Sequence, residues 1–117
     1  MNSLYQHLIH EVYEAFNARD IDKVFSSMLP DVHWPNGWEG GYVTEYEEVR
    51  SYWTRQWREI DPIVTPVSIE EKQDGQVEVN VHQLVKNMQG EILMDGMVKH
   101  IYLIENGKIK GMEIDKS

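Results

Sequence analysis

Apolar and polar residues alternate along the last third of the chain, over residues 76–115. Successive side chains of a strand point to opposite faces of a sheet, so this alternation predicts antiparallel strands. Asp74-Gly75 and Asn106-Gly107 are typical of two-residue hairpin turns, because both central positions of a type I′ turn need a positive φ. With a further strand over residues 63–72, the pattern predicts a meander of four long strands.

Helical spacing replaces the alternation in the first half of the chain, where apolar residues recur three or four positions apart. It predicts three helices: one that begins at Ser3 and is broken by residues 17–20, a short one that Pro30 stops, and one from Thr44 to residue 60. Residues 32–34 form a short strand before the third helix. The predicted fold class is α+β, with three N-terminal helices packed on a strongly curved, mainly antiparallel sheet.

Composition and charge limit the classes of function. A chain of 117 residues suits a single domain. No apolar run approaches the roughly 20 residues that a membrane span needs. The net charge of −9 disfavours nucleic acids and anionic membranes as partners, because both would be repelled. No secretory signal is visible, so a cytoplasmic location is the default expectation.

The sequence shows no motif for a cofactor or a metal. It has no cysteine, and its five histidines have none of the spacings typical of metal sites. The glycine-rich fingerprints of nucleotide binding and the nucleophile motif of hydrolases are also absent. We therefore predict a protein that works without a cofactor or a metal.

Several local segments resemble the NTF2-like superfamily, which includes SnoaL-like polyketide cyclases and ketosteroid isomerases. They are residues 15–22 (Ala-Phe-Asn-Ala-Arg-Asp-Ile-Asp), 29–34 (Leu-Pro-Asp-Val-His-Trp), 40–41 (Gly-Gly), 98–102 (Val-Lys-His-Ile-Tyr) and 106–109 (Asn-Gly-Lys-Ile). The resemblance implies one domain over residues 1–117, a cone-shaped α+β barrel with a pocket inside, and a homodimer formed through the outer sheet face. Members include isomerases, cyclases, hydratases, epoxide hydrolases and non-catalytic binders, so the fold alone does not select a reaction.

Ketosteroid isomerases use a carboxylate base and an oxyanion hole that is made of a tyrosine and a neutral aspartic acid. Alignment on the segment between the first two helices puts Val12 at the tyrosine, Asn36 or Pro35 at the base, and Lys99 at the neutral acid. Tyr13 lies one residue from the first position. These residues disfavour ketosteroid isomerisation, although the charge of Lys99 could hold an oxyanion.

Strand faces decide which residues reach an interior pocket. The alternate valines of residues 77–81 share the face that we assign to the interior, and Gln83 continues it. On the next long strand we assign to the interior the face of Asp95, Met97 and Lys99. Asp95 is then a candidate acid or base and Lys99 a catalytic contact, whereas Gln83 and Met97 line the pocket. The competing interpretation places Lys99 at the rim and Asp95 in water.

The opposite face carries His82, Leu84, His100 and Tyr102. It has too many apolar groups for plain exposure to solvent, and the dimer implied by the resemblance accounts for it. Alternatively, His82 and Asp95 form an acid–base pair similar to those of SnoaL-like cyclases. This alternative needs a β-bulge next to His82 that reverses the faces.

Trp34, Trp38, Trp53 and Trp57 converge on one opening of the predicted fold. They suggest an aromatic-walled pocket for a flat apolar ligand, although a stripe at helical spacing is more often core. In a hollow domain the two interpretations overlap, because the wall is also the core. Asn36 is a candidate hydrogen-bonding group for a ligand carbonyl or hydroxyl, or Pro-Asn-Gly is only a turn.

Two functions stay open. The first is a SnoaL-like small-molecule pocket protein, an isomerase, cyclase or hydratase acting on an apolar carbonyl compound, with Asp95, Lys99 and His82 as catalytic residues. The second is a non-catalytic ligand-binding or dimerisation module of the same fold. The missing ketosteroid isomerase residues favour the second somewhat.

Overall fold

The computed structural model describes residues 4–36, 40–72 and 75–115. Three helices and six strands follow one another in the order α1 (Leu4–Asn17), α2 (Ile21–Phe25), β1 (Met28–Pro35), β2 (Tyr42–Thr44), α3 (Glu45–Glu59), β3 (Ile60–Glu71), β4 (Gln76–Asn87), β5 (Ile92–Glu105) and β6 (Lys108–Asp115). All six strands form one sheet with the order β2-β1-β6-β5-β4-β3. The predicted α+β class is confirmed, and the cone shape stays a prediction.

The predicted meander is formed by β3, β4, β5 and β6, which pair antiparallel in chain order. Asn106 and Gly107 have φ values of 55° and 77°, as a type I′ turn requires. The sheet becomes mixed because β1 pairs with β6 in parallel. The starting point predicted at Ser3 and the turn residue Asp74 lie outside the described residues.

The second helix is shorter than predicted. Asp20 caps it, since its side chain accepts a hydrogen bond from the Lys23 backbone N–H at 3.2 Å. The helix ends at Phe25, well before Pro30, and Met28 already belongs to β1. The chain therefore pairs with β6 from Met28 onward, before it reaches the proline that was predicted to end the helix. None of the helices in the described ranges is long and apolar enough to cross a membrane.

One hydrophobic cluster joins the helices to one face of the sheet. Val77, Val79 and Val81 are fully buried in it, which confirms their assignment to the interior. Val12 of α1 and Trp53 of α3 belong to the same cluster. Burial of apolar side chains of this size contributes roughly 1.5–3 kcal/mol each, so this face determines how the sheet and helices pack.

Asn17 fastens the end of α1 to β3. Its side-chain Nδ2 donates to the backbone oxygen of Val64 at 2.8 Å, and its Oδ1 accepts from the Val64 N–H at 3.0 Å. Both bonds are partly buried. Unpaired backbone groups in such a place are costly, so Asn17 holds the helix and the strand in a fixed relation.

Replacing Asn17 with Ala should lower the free energy of unfolding by about 2–3 kcal/mol, because it leaves two partly buried backbone groups of Val64 without partners. Urea denaturation followed by circular dichroism measures the change. Asn80→Ala is the matched control, since the Asn80 side chain makes an exposed hydrogen bond to Ser68. Equal losses in the two variants would contradict the role that we assign to Asn17.

Candidate functional site

A cavity of about 310 Å³ is lined by residues of all three helices and of β1, β3, β4, β5 and β6. Its volume lies at the lower end of the range of about 300–1,000 Å³ that is typical of small-molecule sites. None of the described residues that line it is Asp, Glu, Lys or Arg. Besides two tryptophans, the side chains that bring polar atoms to the lining are Tyr13, Tyr52, Gln56, Gln83, His100 and Tyr102.

Three of these side chains form a buried hydrogen-bond chain. Tyr102 donates its hydroxyl proton to the hydroxyl of Tyr13 at 2.9 Å. The Tyr13 hydroxyl lies within hydrogen-bonding distance of Nδ1 of His100, at 2.7 Å. In the tautomer in which Nδ1 accepts from this hydroxyl, the proton of the neutral imidazole is on Nε2. Within the described parts of the chain the ring makes no second hydrogen bond, and His100 lines the cavity.

Ring packing fixes the geometry of this chain. His100 and Tyr102 lie two residues apart on β5 and therefore point to the same face of the sheet. The ring of Tyr13 stacks on His100 with centroids 5.9 Å apart and an interplanar angle of 15°. Tyr102 meets Tyr13 edge-on at 6.2 Å and 89°. Both arrangements are favourable for aromatic rings, so the hydrogen-bonding atoms are held in place by contacts as well as by bonds.

Burial keeps all three groups uncharged. It lowers the pKa of His100 from 6.5 to about 4, because the charged ring would lose its hydration. Burial is also the main cause that raises the pKa of Tyr13, with Tyr102 adding to the effect, and it raises the pKa of Tyr102. At neutral pH the cavity lining therefore contains a neutral imidazole and two un-ionised hydroxyls. Such groups bind and polarise a carbonyl oxygen.

Tryptophans form much of the remaining wall. Trp34 meets Trp53 edge-on, with ring centroids 5.5 Å apart and an interplanar angle of 89°, and both line the cavity. Trp57 is half-buried behind them, against Phe16, and does not line the cavity. Its Nε1 and the Oε1 of Gln56 are buried and have no hydrogen-bond partner in the described part of the chain.

The other predicted binding residues differ in whether they reach the cavity. Trp34, Trp53 and Gln83 lie where the sequence placed them, along the cavity. Asn36 is buried but does not line the cavity, and its backbone oxygen accepts from the Gly40 N–H at 2.8 Å. Gly37 and Trp38 lie outside the described residues, so the turn interpretation of Pro-Asn-Gly stays a prediction.

The interior face that we predicted for β5 is wrong. Val79 pairs with His100 and Asn80 with Lys99, and paired residues share a face. Because Val79 is fully buried, His100 lies inside and Lys99 outside. Met97 is 54% exposed, so it does not line the cavity either. The correct signal was present in the sequence, since charged residues rarely occupy the buried phase of a strand.

Asp95 and His82 lie on the outer face, where they form an exposed pair with Nε2 and Oδ1 2.6 Å apart. This contact spans β4 and β5 diagonally, and the ladder is regular around His82, so the pair of the alternative interpretation forms without the β-bulge that it was expected to need. Lys99 is also paired outside, at 3.4 Å from Glu78. None of the three predicted catalytic residues lines the cavity. The described residues contain no group of three or more His, Asp or Glu side chains that could hold a metal ion.

Sequence reasoning missed the residues of the hydrogen-bond chain. The sequence assigns no site role to Tyr13 beyond its position next to Val12, and the predicted strand faces put His100 and Tyr102 on the dimer face. Both belong to the interior, so the predicted dimer face loses these two residues and keeps His82 and Leu84. Tyr13 and His100 are 87 positions apart, and no local pattern reports a contact of that separation.

The fold and the uncharged cavity together define a small α+β protein of the NTF2-like type. The family model of the SnoaL-like domain matches residues 9–112, and the chain belongs to this family. No curated protein matches the sequence.

Solved structures with the same fold share little sequence with this chain. An NTF2-like protein of unknown function from Burkholderia pseudomallei is 23% identical, with a TM-score of 0.85 over 99% of this chain and 92% of that one. TerC, co-crystallised with polyporic acid, is 24% identical, with a TM-score of 0.85 over 98% and 92%. A putative polyketide cyclase from Sinorhizobium meliloti is 15% identical, with a TM-score of 0.78 over 97% and 100%.

The depressed pKa of His100 makes stability depend on pH. The unfolded chain binds a proton at this residue near pH 6.5 and the folded one only near pH 4. The contribution is therefore complete above about pH 6.5 and is lost as the pH falls towards 4, with a size of about 3 kcal/mol. Its titratable neighbours Tyr13 and Tyr102 stay neutral over this range because burial raises their pKa values.

His100→Asn should reduce this pH dependence, because the amide keeps an acceptor for Tyr13 and does not titrate. Urea denaturation at several pH values between 4 and 7 gives the difference between wild type and variant. His33→Asn is the control, since His33 is exposed and stacks on Tyr42. A His100→Asn profile parallel to that of the wild type would contradict the assigned burial effect.

Proposed function

We propose that this SnoaL-like protein binds a small, uncharged, flat apolar molecule that carries a carbonyl oxygen. One observation carries the proposal: a buried hydrogen-bond chain of neutral groups ends at His100 in a cavity whose described lining has no charged side chain. The Nε2–H of His100 donates to the ligand oxygen, and Tyr13 holds the ring in the tautomer that makes this possible.

The apolar wall supplies most of the affinity and the polar groups supply the orientation, as is usual for small-molecule sites. Trp34 and Trp53 offer aromatic surface to a flat ligand. Gln83 is half-buried, lines the cavity and makes no side-chain hydrogen bond with another described residue. Its amide is a second polar contact, either as donor or as acceptor.

A charged ligand fits this cavity poorly. No charged side chain among the described lining residues would compensate it, and burying an unpaired charge is costly. The co-crystal of TerC with polyporic acid and the putative polyketide cyclase support the general idea that this fold serves small molecules.

Catalysis on the same carbonyl is the second candidate, and the His100 donor favours it. An N–H that is aimed at a carbonyl oxygen stabilises negative charge as it develops there, which assists enolisation or cyclisation. The described lining offers no carboxylate or lysine as a base, and a histidine with a pKa of about 4 is a weak one. Binding without catalysis is therefore the function that the geometry supports best.

Paired probes of equal shape test the carbonyl contact. Wild type should bind 2-acetylnaphthalene about 5–10-fold more tightly than 2-isopropenylnaphthalene, because only the ketone accepts a hydrogen bond from His100. Quenching of tryptophan fluorescence measures both affinities, since Trp34 and Trp53 line the cavity. His100→Phe should abolish the preference and still bind the hydrocarbon.

His33→Phe is the control, because this histidine is exposed and should leave the preference intact. Equal affinities of wild type for the two probes, or an unchanged preference in His100→Phe, would overturn the proposed function.

We also propose that two copies associate through the outer face of the sheet. Met97 exposes 54% of its surface there, and the half-buried Leu84 pairs with Asp95, two positions from Met97. Leu103 lies further along the same face of β5 and is 44% exposed. Large apolar side chains that are exposed on one face are typical of a contact with another protein. The pair of His82 and Asp95 adjoins Met97 and would become part of the contact.

Met97→Glu should therefore weaken self-association by about tenfold or more, because it buries an unpaired charge at the contact. Light scattering after size exclusion, over a range of protein concentrations, gives the mass of the species. Met88→Glu is the matched control, since Met88 is equally exposed but lies in the β4–β5 turn. A wild type that has the mass of one chain at every concentration would refute the dimer.

A further inference from the structure

The turn between β4 and β5 is held rigidly by its own hydrogen bonds. The Asn87 side-chain oxygen accepts from the backbone N–H groups of Gln89 and Glu91, both at 2.9 Å. The Asn87 N–H also donates to the Glu91 carbonyl oxygen at 2.9 Å. Gly90 adopts a φ of 88°, which glycine tolerates without strain. The residues that follow the turn are therefore presented in a defined geometry.

A β-bulge follows directly. Val85 pairs with Met94, but the next residue, Lys86, pairs with Ile92. Leu93 is the extra residue of β5 and has no partner on β4. Bulges redirect side chains, and they are common beside functional sites.

The bulge brings two consecutive residues to the same cavity. In a regular strand neighbouring side chains point to opposite faces, yet Leu93 and Met94 both line the cavity. Met94 continues the interior row of its partner Val85, which also lines the cavity. Leu93 is added to that row only because the ladder is interrupted.

Both residues also reach solvent, so they mark the mouth of the cavity. Leu93 is 57% and Met94 37% exposed, although both are apolar. Such exposure is unfavourable for the protein alone, and at the entrance of a pocket it indicates a surface that a ligand covers.

We propose that Leu93 and Met94 form an apolar subsite that binds an alkyl or aryl extension of the ligand at the cavity mouth. The inference rests on the proposed function, since the carbonyl end of the same ligand contacts His100. Continuity of the lining from His100 to Leu93 favours the ligand as the occupant. The class of ligand is thus narrowed to flat carbonyl compounds with an apolar tail opposite the carbonyl.

A series of 6-alkoxy-2-acetylnaphthalenes with methoxy, butoxy and hexyloxy groups tests the subsite. Wild-type affinity should rise about twofold for each added methylene, half the logarithmic gain of complete burial, because the subsite is half-exposed. Leu93→Ser should remove most of this gain and leave the affinity for the methoxy compound nearly unchanged. Ile92→Ser is the matched control, since Ile92 is 60% exposed on the same hairpin but does not line the cavity.

Deletion of Leu93 is a second variant that preserves the rest of the ladder. It brings the pairs Val85–Met94 and Lys86–Ile92 into regular succession, so the sheet can form without the bulge. The gain with chain length should fall as it does in Leu93→Ser. If the deletion variant does not fold by circular dichroism, Leu93→Ser alone decides.

The outcomes separate the two proposals. In one outcome the methoxy ketone binds with a His100-dependent preference, but its longer homologues gain no affinity, or gain as much affinity in Leu93→Ser as in wild type. This outcome overturns the subsite and leaves the proposed function standing. Loss of the His100-dependent preference overturns both. A change in oligomeric mass in Leu93→Ser, without a change in the chain-length gain, shows that the hairpin contacts a second copy and also overturns the subsite.

Discussion

Neutrality of the buried polar groups is the constraint on which the interior of this protein depends. A polar group that is buried without a partner costs about 1–3 kcal/mol, and an unpaired charge costs more. Tyr102, Tyr13 and His100 meet this constraint by sharing two hydrogen bonds in sequence. Where Tyr13 donates to Nδ1, the arrangement satisfies the two hydroxyl protons and leaves one imidazole N–H unused. The burial that lowers the pKa of His100 also strengthens this remaining donor, because a hydrogen bond is stronger in a medium of low polarity.

Because paired residues share a face of the sheet, this constraint also fixes which residues of β5 point inward and which point outward. Once Val79 is buried, its partner His100 must point inward, and Lys99 must then point outward. The alternation of side chains along β5 therefore places the hydrogen-bond chain inside and the ion pairs outside. In the described pairing of β4 with β5, the register shifts at Leu93, where the cavity meets solvent. The regular ladder builds the closed part of the cavity, and its interruption builds the mouth.

Local patterns in the sequence were enough to predict the α+β class, the four-stranded meander and the interior positions of Trp34, Trp53 and Gln83. Each of these depends on spacing within one element or on a turn between neighbouring elements. The face of β5 that points inward was harder to predict, because apolar residues occur on both of its faces. The ion-pairing Lys99 is the better guide to the outer face, because charged residues rarely occupy buried positions of a strand, whereas the resemblance to ketosteroid isomerases puts Lys99 at a pocket position. The contact between Tyr13 and His100 depends on how α1 packs against the completed sheet, which no single segment encodes.

The separation of charge between the two sheet faces explains how this fold can combine two surfaces with different tasks. Ion pairs such as Lys99 with Glu78 lie outside, where water screens them and each contributes little. The described cavity lining has no charged residue, so its polar contacts act at full strength on a ligand. Because neighbouring residues of one strand face opposite sides, a substitution on the outer face can change association without touching the cavity. A substitution at His100 alters the cavity without changing the outer surface. The two proposed contacts, with a ligand and with a second copy, can therefore be tested independently on the same strand.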